Sequence, residues 1–414
     1  MRAPSVAYAC AVGIASGVAL ASPAYAETLT LVDALNRAAA GNPLQAAAAA
    51  RIEAARGGLD QAARRPNPFL SLNGENLAAT QSSWSQLQTT VAYNQLWERG
   101  GKRDARMSVA GAEVDAARLR ERITVLDFYH AVETVWIEAV AAEAEVGIAS
   151  ERVAVAERLR QETNRRVSAA RDPAFAGARV GAFATQAQIA RDQAVANAHI
   201  ARATLASYWR GAADFELDPR ALEIESDMTV RPDRPLNLAL LDAQRQLADA
   251  RARLETSRAV QDPTVQVGLR HFANNGELAV VAGVSVPLGF HDKNQGNIAR
   301  ARAESRAAEQ DQAAAQMAWE REFLQLRARL DAYATESRRL SAETIPAADK
   351  ALRLARDTFD RGALSYLDVT ETERALTDAQ ARRIEVQKLY HLDMARLHRL
   401  LGSHLSDNPT KEVR

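Results

Sequence analysis

No proline occurs between Pro68 and Pro173. The stretch is dominated by Ala, Arg, Glu and Leu, the composition of long helices. From about Gly101 to Ala170 one helix could run about 70 residues, or about 100 Å at 1.5 Å per residue. Within it Val125, Phe128, Val132, Val135, Ala139, Ala142, Val146, Ala149, Val153 and Ala156 recur at alternating three- and four-residue steps. That spacing is a sustained heptad seam, and its small residues permit close approach of a neighbouring helix. Trp319, Phe323, Leu326, Leu330, Tyr333 and Leu340 repeat the spacing later in the chain. Pro346 is expected to bend or break that second helix. Helix-breaking turns follow at Arg171-Asp172-Pro173 and Arg361-Gly362, each leading into a return helix.

The two long helices belong to an internal repeat. Asn42-Pro43-Leu44 opens an alanine-rich helix ending at Asn67-Pro68, and Arg234-Pro235-Leu236 opens another ending at Asp262-Pro263. After each come an alternating strand, a polar turn and a second strand. Gly100-Gly101-Lys102 and Gln295-Gly296-Asn297 then start the long helices, and RATLASYWRG and MARLHRLLG close the halves. The pairs are offset by about 190–195 positions, so chance similarity is a poor explanation. The chain is therefore expected to divide into a first repeat, 27–220, and a second, 221–405, before a tail, 406–414. Strands are expected at about 68–77, 84–97, 264–273 and 278–288. The helical hairpins are expected at about 100–211 and 292–402.

The strands alternate with a period of two. Val265, Val267 and Leu269 share a face opposite Gln266 and Arg270, and Leu87, Thr89, Val91 and Tyr93 oppose Gln86, Gln88 and Asn94. One apolar and one polar face suits either a barrel wall between lipid and water or a half-buried soluble hairpin. Four strands cannot close a barrel, since about eight is the practical minimum. Open edges are not tolerated in lipid. If these strands span a membrane, several chains must pool them.

Residues 1–26, MRAPSVAYACAVGIASGVALASPAYA, read as a secretory signal cleaved before Glu27, with Arg2, an apolar run and Ala24-Tyr25-Ala26. The apolar run is too short and too rich in Gly and Ser to span a bilayer. Cys10 is the chain's one cysteine and lies inside this segment, badly placed for lipid attachment. No lipid anchor, disulfide or thiolate metal site is then expected. The 52 basic and 52 acidic residues balance, so nothing suggests nucleic acid as a partner. No later segment reads as a transmembrane helix.

Four phrases in order, LTLVDALNRAAAGNP, QLWERGGKRDAR, VSVPLGFHDKNQGNIARARAE and RGALSYLDVTETERALTDAQ, together with the duplication, give the chain a family resemblance. It resembles the TolC-like outer-membrane efflux factors, nearest their cobalt-zinc-cadmium resistance branch. The resemblance covers nearly the whole mature chain. It implies a mainly α fold with a small β part, in which three protomers each give four strands to a twelve-stranded barrel in the outer membrane of a Gram-negative bacterium. Their helices then continue as a hollow α-barrel across the periplasm. The implied partners are two further copies, outer-membrane lipid, a periplasmic adaptor and an inner-membrane pump of the RND type, with heavy-metal cations as cargo.

In such proteins the periplasmic tip is the gate. Asp368 falls where the family has its acidic constriction ring, with Glu371 one helical turn later on the same side. Three copies of these carboxylates around a lumen would attract cations. The same residues also read as helix N-terminal acids favoured by the dipole. The tip turns, Arg171, Asp172 and Pro173 in one repeat and Phe359, Arg361, Gly362 and Leu364 in the other, are the implied adaptor-docking points. Ala170 stands where a glycine is common, which sets the first tip apart. Gly100, Gly101, Pro287 and Gly296 mark the strand–helix junctions.

No catalytic constellation or cofactor motif is present: there is no G-x-S-x-G, H-E-x-x-H or phosphate-binding loop. His391 and His398 share a helix face at a spacing of seven and read as ordinary helix residues. His271 and His291 suit a barrel rim. Three functions remain open: a metal-efflux duct, a duct of the same fold for drug efflux or type I protein secretion, and a periplasmic coiled-coil scaffold without a pore.

Overall fold

The computed structural model describes residues 28–40, 42–77, 86–224 and 235–403. The signal segment 1–26 and the tail 406–414 lie outside them. In chain order the elements are α1 (Leu31–Ala39), α2 (Pro43–Ala62), β1 (Phe69–Glu75), β2 (Gln88–Leu96), α3 (Lys102–Ser168) and α4 (Ala174–Ser207). They continue as α5 (Leu236–Arg258), β3 (Thr264–Phe272), β4 (Leu278–Ser285), α6 (Gln295–Arg339), α7 (Ile345–Asp360) and α8 (Tyr366–Leu401). The order helix, two strands, long helix, return helix thus occurs twice. Among the described residues no helix is long and apolar enough to cross a membrane.

The strands form one antiparallel sheet in the order β1-β2-β3-β4. Register puts Leu72, Val91, Leu269 and Val280 in one cross-strand row and Leu70, Tyr93, Val267 and Ala282 in the next. These rows make one face, and it is bare: Leu70 is 74% and Val280 76% exposed. The opposite face carries Ser71, Asn73, Thr90, Asn94, Gln266 and Arg270. Arg270 donates to Thr90 Oγ1 at 3.0 Å, Gln88 Oε1 at 3.2 Å and Glu75 Oε1 at 3.2 Å. Asn94 bridges to Ser71 Oγ at 3.0 Å and to the Phe69 carbonyl at 3.3 Å. The polar groups satisfy one another on one face, while the apolar face has no protein cover.

Each strand runs directly into a helix at the same end of the sheet: α2 leads into β1, β2 into α3, α5 into β3 and β4 into α6. The helices start from local chemistry. Thr30 caps α1 in a reciprocal box with Asp33, and Asn42 accepts from Leu44 N at 2.9 Å ahead of Pro43. The 67-residue α3 packs along α4 and also against α2, α5 and α8. It therefore buries two lines of side chains. Val132, Ala139 and Ala156 of the expected seam are buried, and so are Leu126, Tyr129, Trp136, Ile137 and Val140 beside it.

The largest apolar cluster sits midway along the helices. Val132, Trp136, Ile137 and Val140 of α3 meet Ala34 and Ala38 of α1, Leu205 of α4, Ile384 and Ala395 of α8, and Phe215, Leu217 and Leu222 of the segment after α4. Burial of each large aliphatic here contributes about 1.5–3 kcal/mol. A second cluster pairs Leu326 and Leu330 of α6 with Tyr390, Leu397 and Leu400 of α8. His398 Nδ1 lies 3.1 Å from buried Glu133 Oε1, and His391 Nε2 is 3.1 Å from the Leu222 carbonyl, so both histidines join helices rather than ligate.

Pro346 was expected to bend or break the second long helix. Instead the helix continues through a π-turn, Leu340–Thr344, into α7. Proline lacks an N–H and crowds the carbonyl a turn earlier. One widened turn before it relieves both problems without ending the helix.

Candidate functional site: the helical tips and the strand–helix junctions

Far from the sheet, the two tip turns meet. Leu159 of α3, Val180 of α4, Leu352, Ala355 and Phe359 of α7 and Val369 of α8 form one buried cluster, with Leu364 packed against it. Arg166, in the last turns of α3, joins the turns by polar contacts. Its guanidinium pairs with Asp172 at 2.9 Å, donates to the Phe359 carbonyl at 2.8 Å and stacks 4.5 Å from the Phe359 ring centroid. Arg171 donates its backbone N–H to the Arg166 carbonyl at 2.8 Å, and Pro173 is the N-cap of α4. Ala170 takes a left-handed φ of 56°, the conformation a glycine would adopt without strain.

The second turn closes differently. Gly362, with φ 81°, donates to the Phe359 carbonyl at 2.8 Å, and Ala363 donates to the Thr358 carbonyl at 3.1 Å. That is a glycine-dependent helix stop. Arg361 is the exposed C-cap of α7. Ser365 then caps α8, its hydroxyl donating to Asp368 Oδ2 at 2.6 Å while accepting from Asp368 N. Asp368 thus serves the helix start, and both it and Glu371 are exposed.

Between these acids and the helix interior sits Glu373, which is 2% exposed. Thr377 donates to Glu373 Oε1 at 2.9 Å, and Arg152 of α3 approaches to 3.7 Å. Burial pushes the Glu373 carboxyl up from its ordinary value, against the opposing effect of Thr377, Arg152 and Arg356. Arg166 and Glu373 were not singled out from sequence. The signal for Glu373 was an acid on the apolar line Val369–Leu376 of α8; Arg166 gave none.

At the sheet end, Gly100 and Gly101 have φ of 69° and 70°. A Cβ on Gly100 would lie 2.7 Å from Val260. Lys102 Nζ reaches both Asp262 Oδ2 and the Val260 carbonyl at 2.6 Å, and Arg99 N donates to Asp262 Oδ1 at 2.8 Å. The first repeat's junction is thereby bolted to the second repeat's. Pro287 lies just past β4 and Gly296 is the second residue of α6. The residue that turns the chain there is Asn294, with φ 59°, anchored by its amide to Glu255 at 2.8 Å. Among the described residues no group of three or more His, Cys, Asp or Glu side chains could hold a metal ion.

A four-stranded sheet bare on one face, polar on the other and continued by long helices is the arrangement expected of a TolC-like channel protomer. Residues 236–403 match the family model described as outer membrane efflux protein. The chain is 27% identical over 387 residues to the cobalt-zinc-cadmium resistance protein CzcC of Cupriavidus metallidurans, covering 90% of each. It is 28% identical over 283 residues to the nickel and cobalt resistance protein CnrC of the same organism, covering 66% of each. It superposes on the outer membrane protein VceC of Vibrio cholerae with a TM-score of 0.73 at 18% identity, covering 89% of this chain and 95% of that one. The second half of the chain thus matches the outer membrane efflux protein model, and nearly the whole chain is similar to a heavy-metal resistance protein and to a solved outer-membrane protein.

Proposed function

We propose that this protein is the exit duct of a tripartite efflux system that expels heavy-metal cations. Three copies pool their sheets into a twelve-stranded barrel, and their helices continue as a hollow cylinder through the periplasm. The observation that carries this reading is the sheet: it has an apolar face without cover, two open edges, and a helix leaving every strand at one end. Lipid would satisfy the face, and only further copies satisfy the edges. The two repeats, 27–220 and 221–405, each supply one strand hairpin and one helical hairpin to the wall.

On this reading Asp368 and Glu371 ring the periplasmic opening, and the tip turns at Arg171–Pro173 and Phe359–Leu364 dock the adaptor, which links the duct to an RND-type inner-membrane pump. The pump selects the cargo, so the duct needs no ligand cluster. The metal assignment comes from the resistance proteins CzcC and CnrC, whose names state their metals. The test is deletion of the gene with tolerance assays for zinc, cobalt, cadmium, nickel and copper, alongside purification of the protein. Loss of tolerance to at least one metal and a membrane-inserting trimer are expected. Unchanged tolerance to all five together with lost drug or protein export would replace metals as cargo, and a compact monomer would end the duct.

A further inference from the structure

The apolar face of the sheet does not stop with the last ladder pair. On β2 the outward series Val91, Tyr93 ends at Trp97, which is 65% exposed. Beyond β4, Leu288 and Phe290 continue the exposed series, Phe290 at 75%. Large aromatics at the end of a lipid-facing surface mark the level where acyl chains give way to headgroups. Immediately past Trp97 lies a cleft of about 780 Å³ between the end of α2, the first turns of α3 and the end of α5. Four arginines line it, Arg64, Arg65, Arg106 and Arg258, with Val109 and Leu254 giving it an apolar floor.

The acids around the cleft are already engaged. Glu98 pairs with Arg106, Glu113 with Arg251 at 3.1 Å, and Arg258 with Glu255 at 2.5 Å. Among the described residues Arg64 and Arg65 have no acidic partner, and both are exposed. Their backbone is nevertheless fixed. Arg103 donates to the Ala63 carbonyl at 2.7 Å, Arg106 donates to the Arg64 carbonyl at 3.2 Å, and Pro66 follows at once. The result is two uncompensated guanidinium groups on a pinned turn, beside an apolar floor, at the depth of the bilayer edge. The headgroup zone is about 5–8 Å deep on each side of the hydrocarbon. The first turn of α3, at about 1.5 Å per residue, spans that depth from the junction to Arg106.

We propose that this cleft seats the phosphate of a glycerophospholipid from the periplasmic leaflet. Arg64 and Arg65 hold the phosphate oxygens in the forked geometry guanidinium groups favour, the acyl chains run back past Trp97 onto the bare face of the sheet, and Val109 and Leu254 close the cleft on the periplasmic side of the headgroup. The proposal rests on the duct reading for the orientation of the sheet in the membrane.

The experiment uses the full chain purified in detergent, loaded with phosphatidylglycerol, washed, and weighed intact by native mass spectrometry. Wild type is expected to retain phosphatidylglycerol but not diacylglycerol, which lacks the phosphate. R64Q/R65Q should retain roughly tenfold less, the loss expected for a charge-assisted phosphate contact. R64K/R65K, which keeps the charge, should recover part of it. Excess inorganic phosphate should not displace the lipid. Equal retention by wild type and R64Q/R65Q would overturn the proposal, as would retention of diacylglycerol as strong as that of phosphatidylglycerol. Displacement by inorganic phosphate would make this a free-anion site and equally overturn it. The same spectra report the oligomer. A trimer without selective lipid retention sinks the seat and leaves the duct intact, whereas a monomer sinks both.

Discussion

Arg166 holds Phe359 twice, through a 2.8 Å hydrogen bond to its carbonyl oxygen and by lying 4.5 Å over its ring. The two residues sit 193 positions apart, in different hairpins. Phe359 is itself 2% exposed, so the contact closes over a filled core. A charge-assisted bond contributes about 1.5–3 kcal/mol and a desolvated cation–π contact about 2. We expect R166A to loosen the tip, seen as higher single-channel conductance in planar bilayers and faster proteolysis near Ala170. R166K should lie between, because it keeps the charge but loses the fork. Unchanged conductance in R166A would show that the clasp does not restrain the opening.

Asp368 has two possible duties that substitutions can separate. D368A removes both its charge and its share of the box with Ser365. D368N keeps an acceptor for that box and removes only the charge. Glu371 takes no part in the cap, so E371Q tests charge alone. If these acids ring the lumen, D368N/E371Q should raise conductance and weaken block by multivalent cations about as much as D368A/E371A. An effect confined to D368A would assign Asp368 to helix stability instead.

Glu373 gives the tip a dependence on pH whose sign is fixed. Its folded-state value is raised by burial, so the folded protein binds the proton more tightly than the unfolded chain does. Its contribution is greatest below the ordinary carboxylate range and is lost as pH rises through the raised value. The groups facing it are Arg152 of α3, Arg356 of α7, and Thr377 and Asp378 of α8. Amide hydrogen exchange in α8 should therefore slow on mild acidification in wild type relative to E373Q, which is neutral throughout. Parallel profiles for the two proteins would rule the buried carboxyl out as the cause.

Two glycines at the junctions should respond in opposite ways. G100A forces a Cβ into Val260 at 2.7 Å in a left-handed conformation. Strain of this kind costs on the order of 1–3 kcal/mol, and the yield of folded oligomer should fall. A Cβ at Gly296 meets nothing within 4 Å, and the residue is helical. G296A should leave assembly unchanged or strengthen it by about 0.5–1 kcal/mol. Heat resistance of the oligomer on gels reads both. Equal behaviour would mean that Gly296 turns the chain after all.

Periodicity made the scaffold readable. The apolar–polar alternation around Val91 and Val267 and the seam through Val132 and Ala139 are short-range patterns, and the chain follows them. A single heptad seam does not reveal the line through Trp136 and Val140, because a helix with neighbours on two sides buries two lines. Glycine is the commoner left-handed residue, so sequence alone points to Gly296, whereas Asn294 makes the turn. Arg166 could not have been found, since its partner lies in another repeat and no spacing connects them.

The π-turn at Leu340–Thr344 distinguishes the two repeats. A single inserted residue rotates everything beyond it by about 100° around the axis, so α7 presents its apolar side independently of α6. The first repeat has no counterpart: α3 runs unbroken to the tip. In a closed ring of three copies, one helical run of each copy would carry a widened turn and the others would not. The three widened turns would form one level in the wall, well above the opening itself.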